Sequence, residues 1–157
     1  MASRSRMLII VSCAGAIFAS FAAAQSTGGL PSANYIPHLG DIMGAMQLRH
    51  FKLSFAGKLR NWELAAYELD QIKESFHDAA TLYPGIPVAD MTIMAEPVRR
   101  LGEAIQKKEP KKFAAAFSEL TAACNGCHQA IGRGFIVIKV PTSSPFSNQV
   151  FEPAARP

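Results

Sequence analysis

The chain has 157 residues, about half of them hydrophobic and under a fifth charged, which suits one globular domain and excludes whole-chain disorder. Its formal charge is +4, and removal of Arg4 and Arg6 with an N-terminal leader reduces this to +2, so there is no basic footprint for nucleic acid. Of the three cysteines, Cys13 sits in the leader, so the remaining pair, Cys124 and Cys127, leaves no disulfide framework.

Residues 1–24 read as a signal peptide. Met1 to Arg6 is basic, Met7 to Ala24 is small or apolar, and Ala22-Ala23-Ala24-Gln25 supplies a small-residue cleavage site after Ala24. An uncleaved anchor and lipidation at Cys13 are the alternatives; cleavage leaves no stable membrane anchor. Residues 25–38 are rich in Ser, Gly, Pro and Asn and form a loop, with His38 in solvent.

Four helices are expected next. Leu39, Ile42, Met43, Met46, His50 and Leu53 recur at helical steps, and Gly57 fits a stop. Asn61 caps a second helix whose stripe runs through Trp62, Ala65, Leu69, Ile72 and Phe76. Glu68, Asp70, Lys73, Glu74 and Asp78 read as its solvated side, with His77 beside them, and Pro84-Gly85 ends it. Asp90 can cap a third helix to about Lys108, with Met91, Met94, Val98, Leu101 and Ile105 inward and Pro97 kinking or restarting it. Pro110 opens a fourth, ended by Gly132 and Gly134. Its stripe of Phe113, Phe117, Leu120, Cys124, Cys127 and Ile131 continues into the cysteines. Phe135 to Val140 is a short apolar run before Pro141 and reads as extended, lying along the bundle with the rest of the 133–157 tail.

The fourth helix carries Cys124-Asn125-Gly126-Cys127-His128. The C-x-x-C-H spacing reads as a c-type haem attachment site. Two thiols three residues apart share a helical face with the next residue, so both can add to vinyl groups on one porphyrin edge while the imidazole meets the iron. A thioredoxin-like pair would need a βαβ context, and structural zinc would need four ligands where only the scattered His38, His50 and His77 remain. The expected cofactor is one covalently attached haem c with its iron, held by Cys124 and Cys127 and ligated by His128.

No methionine or histidine follows His128, so a second iron ligand from the protein must come from upstream. This excludes the common small cytochrome order, with an early motif and a late methionine. Four helices with the motif on the last resemble the cytochrome c prime and cytochrome c556 family of four-helix-bundle c-type cytochromes, over roughly Leu39 to Gly132. The resemblance implies an all-α, antiparallel four-helix bundle over residues 39–132 with haem on the last helix. It also implies a haem-facing residue on helix one, with Met43 or Met46 as the counterpart, and Arg49 near a propionate. In cytochrome c556 a methionine fills the sixth position; in cytochrome c prime the position is usually open. Met43 is favoured because the resembling ligand lies in the early turns of helix one, and His50 is a third candidate on that face. The 133–157 tail departs from the family pattern.

With no catalytic constellation in the sequence, the expected function is not enzymatic: a periplasmic monohaem electron carrier with His/Met-ligated iron. Its expected partner is an unidentified redox protein, with a homodimer left open. A five-coordinate protein that binds small gases such as NO or CO is the alternative, and a haem subunit docked on a larger oxidoreductase a third.

Overall fold

The computed structural model describes residues 35–86 and 92–155. The leader, its cleavage site, most of the N-terminal loop, and Asp90 and Met91 lie outside the described residues. Among the described residues there are four α-helices and no strand: α1 (Leu39–Lys58), α2 (Trp62–Leu82), α3 (Ala95–Gln106) and α4 (Pro110–Ala130). None of these helices is long and apolar enough to cross a membrane.

Local chemistry sets the helix ends. The Asp41 carboxylate accepts from the His38 backbone N–H at 3.2 Å and opens α1. Asn61 caps α2 by accepting from the Leu64 N–H at 3.1 Å. Pro110 stands at the first position of α4, where its missing N–H is not needed. Pro97 falls in the first turn of α3, so it restarts a helix and does not kink one.

Three helices stop in the same way. In α1, Arg60 takes φ +60° while the Asn61 N–H reaches back to the Ala56 carbonyl at 2.8 Å. In α3, Lys108 takes φ +55° and Glu109 N–H reaches Ala104 O at 2.9 Å. In α4, Gly132 takes φ +71° and Arg133 N–H reaches His128 O at 2.6 Å. These are Schellman-type ends, in which a left-handed residue lets the chain satisfy the last carbonyls and reverse.

Gly57 is not the stop expected from sequence. It is buried inside α1, and the Phe113 ring of α4 lies in the space its side chain would need. Glycine here permits a close helix approach.

Helices α1 and α2 pack heavily on one another, as do α3 and α4, and contacts of α2 with α3 and of α1 with α4 close the ring, an arrangement compatible with a four-helix bundle. The core runs through Leu53, Ala65, Leu69, Ile72, Leu101 and Leu120. An aromatic seam joins Trp62, Phe113 and Phe117, the last two stacked with centroids 5.9 Å apart. Glu68 departs from its expected solvated place. It is 1% exposed and pairs with Arg49 of α1 at 3.2 Å. It lies beside Leu69 and Ile72 on the inward side of α2, so the carboxylate is carried in and the arginine satisfies it there.

After Gly132 the chain turns back along the helices without forming a ladder. Lys58 donates to the Pro141 carbonyl, Asn61 donates to the Glu152 carbonyl at 3.1 Å, and Phe151 is buried against Phe55 and Phe146. Val140 packs on the core, whereas Phe135 and Val137 face outward, as alternation along an extended segment requires.

Candidate cofactor site

The motif side chains open onto a cavity of about 440 Å³ between α1 and α4. That volume lies within the ~300–1,000 Å³ usual for small-molecule and cofactor sites. Cys124, Cys127 and His128 form part of the α4 wall, as the four-and-three spacing requires. Helix α1 supplies Met43, Met46 and His50 on the facing side, so the three expected candidates for a further ligand share one cavity with the motif. Ile136 and Ile138 of the tail close another side, and Phe76, Ile86 and Met94 add apolar surface.

His128 is held from behind. Gly132 reverses the chain, a turn from Arg133 O to Ile136 N (2.8 Å) brings the tail alongside, and Ile136 O lies 2.8 Å from His128 Nδ1. A carbonyl only accepts, so Nδ1 carries the proton and Nε2 keeps its lone pair. This is how a metal-binding imidazole is usually oriented.

His50 is committed differently. Its Nε2 lies 2.8 Å from Thr121 Oγ1, and that hydroxyl donates its single proton to Phe117 O at 2.9 Å. His50 Nε2 therefore donates, which leaves only Nδ1 as a lone pair. Burial pushes the imidazole pKa down to about 4, so the ring is neutral at neutral pH.

Burial also raises the Cys124 thiol to about 11, with the neighbouring Cys127 adding to the shift. A protonated thiol is the opposite of the low-pKa thiolate that a thioredoxin-like pair depends on. Among the described residues no group of three or more His, Cys, Asp and Glu side chains is gathered to hold a bare metal ion. No protein-family model, curated protein or solved structure matches this chain.

The cavity residues fit a haem. The lining is largely apolar, with Gln47 and Arg133 as polar members besides the histidines, and the two thiols and the imidazole share one wall. Gly40 and Gly44 of α1 line the cavity, and a Cβ built on either meets no atom within 4 Å. Nothing in the protein demands glycine there, in contrast to Gly57. Their absent side chains leave a smooth helix surface that a flat group can approach.

Arg49 does not line the cavity; its guanidinium pairs with Glu68 and lies 5.7 Å from the Tyr67 ring centroid. Sequence reading missed Gly40, Gly44 and Gln47 on the α1 wall and the tail isoleucines. The period-two spacing of Ile136, Ile138 and Val140 was the available signal for the tail.

Proposed function

We propose that this chain is a periplasmic monohaem c-type cytochrome that carries electrons. On this reading Cys124 and Cys127 hold the haem by thioethers within an antiparallel four-helix bundle, as in cytochrome c prime and cytochrome c556. His128 would ligate its iron, and Met43 would supply a second protein ligand. The observation that carries the reading is the hydrogen bond from His128 Nδ1 to Ile136 O beside two cavity-lining thiols, because it leaves Nε2 available to a metal.

The haem, when bound, supplies one-electron redox chemistry whose potential depends on axial ligand and burial. The chain's own residues bind and orient. Ile136 fixes the His128 tautomer, and the largely apolar walls would hold the porphyrin. The neutral His50 brings no charge to the cavity at neutral pH. Among the cavity methionines, Met46 and Met94 are buried in the core, whereas Met43 only packs against its edge. Core methionine is ordinary filler, so Met43 is the one with its thioether most available. A neutral thioether, as a ligand alongside histidine, would suit electron transfer and raise the potential. The redox partner is a separate protein.

A second reading draws on Gly40 and Gly44. The open space beside them is also where a small gas would lie if Met43 stayed off the iron, as in a five-coordinate protein.

Denaturing electrophoresis with haem staining tests the attachment: haem should stay with the chain through acidic acetone and be lost when Cys124 and Cys127 are both alanine. A ferrous spectrum with and without carbon monoxide separates the two readings. No response to carbon monoxide fits Met43 ligation, and ready binding with a high-spin ferric form replaces the carrier by the gas binder.

A further inference from the structure

We propose that Asn125, the residue between the cysteines that follows Cys124, is the positioning residue that sets the His128 imidazole by gripping the tail. Its role toward the iron rests on the haem reading above; the grip itself does not.

The Asn125 side chain carries an amide, the same donor and acceptor pair as a peptide. Its Nδ2 donates to Ile138 O at 2.8 Å, and its Oδ1 accepts from Ile138 N–H at 2.7 Å. Two bonds to one residue fix both the place and the orientation of that peptide, as a rung of a β-ladder does. Ile138 stands two residues beyond Ile136, and in extended chain residues two apart share a face. Both isoleucines line the cavity accordingly. The Asn125 grip therefore holds the segment whose carbonyl accepts the hydrogen bond from His128 Nδ1–H at 2.8 Å. Aspartate at this position accepts but does not donate, and an aliphatic residue does neither.

A hydrogen-bonded Nδ1–H makes imidazole a stronger metal donor. A stronger donor favours the more oxidised metal, so loosening the grip should move the midpoint potential upward.

The test uses the haem-loaded full chain, with Asn125→Ala as the first variant because alanine favours helix and leaves α4 intact. Asn125→Leu serves as the second should alanine fail to fold. Phe151→Leu is the control, since it loosens the tail far from the motif without changing charge. Two quantities are read: amide exchange at Ile138 and the midpoint potential. Either Asn125 variant should speed Ile138 exchange at least roughly tenfold, the factor matching loss of the one bond that protects that N–H, and raise the potential. Phe151→Leu should lower the thermal midpoint and leave the potential in place. Unchanged exchange and potential in the Asn125 variants overturn the proposal, and so does an equal potential shift in Phe151→Leu. A purified chain without covalent haem removes the carrier reading and with it the role toward iron, while Ile138 exchange still decides the grip.

Discussion

The Phe113 ring occupies the space that a side chain on Gly57 would need, so α1 and α4 approach where one residue has no Cβ and the other has a large one. Gly57→Ala should destabilise the protein by about 1–3 kcal/mol through overpacking. Urea denaturation should show a lower midpoint, and Gly57→Ala with Phe113→Leu should recover part of the loss. An unchanged midpoint for the single variant would mean that the ring moves aside freely.

Gly44, in the same helix, should respond with the opposite sign. A methyl there meets no atom within 4 Å, and alanine is the better helix former by about 0.5–1 kcal/mol. Gly44→Ala should therefore stabilise a chain in which Cys124 and Cys127 are alanine. In the haem-bearing chain the gain should shrink or reverse, because the methyl enters the cavity. Equal gains in both melts would show that this wall is not where the haem lies.

Arg49→Ala should cost about 3 kcal/mol, because it leaves the Glu68 carboxylate, 1% exposed, without its ion partner. Arg49→Met with Glu68→Leu should restore most of that stability. If the double variant is no better than the single, the arginine acts mainly on something other than Glu68.

His50 gives the protein an acid dependence of known sign. Its folded pKa, about 4, lies below the usual value of 6.5, so between these limits the unfolded chain binds a proton that the folded one refuses. Stability is full above pH 6.5 and declines as pH falls toward 4, by about 3 kcal/mol over that window. His50→Gln, which keeps a neutral donor toward Thr121, should flatten this part of the curve in urea titrations at a series of pH values. An identical slope in the variant assigns the acid sensitivity to other groups.

Met43→Ala should open the iron to carbon monoxide in the ferrous protein, while Met46→Ala should chiefly destabilise the fold, by the ~2–5 kcal/mol typical of a truncated core methionine, read in urea denaturation. Reversed phenotypes would move the sixth ligand to Met46. Binding of carbon monoxide by the unaltered protein would remove methionine from the iron altogether.

Features written along one helix were legible in the sequence. The Phe113–Cys124 stripe, the Asn61 cap and the first-position Pro110 obey local rules and stand as expected. Met43, Met46 and His50 meet the motif across one cavity because their spacing put them on the same face of α1. What stayed hidden depends on a second element. Gly57 reads as a stop until Phe113 is beside it, and Glu68 reads as solvated until Arg49 comes to meet it. The Asn125 contact with Ile138 spans 13 residues and joins a side chain to a backbone, so it leaves no periodic trace.

The three left-handed helix ends also differ in tolerance. At Arg60 and Lys108 the chain accepts a backbone angle that an L side chain resists, by roughly 1–2 kcal/mol. At the corresponding joint after the motif it uses Gly132, which takes the angle without that penalty. The first two bends only have to reverse the chain. The third aims a carbonyl at an imidazole eight residues back, where a small angular error separates donor from acceptor. Gly132 thus serves as an alignment joint, and the placement of Ile136 against His128 follows a bend that carries no side-chain penalty.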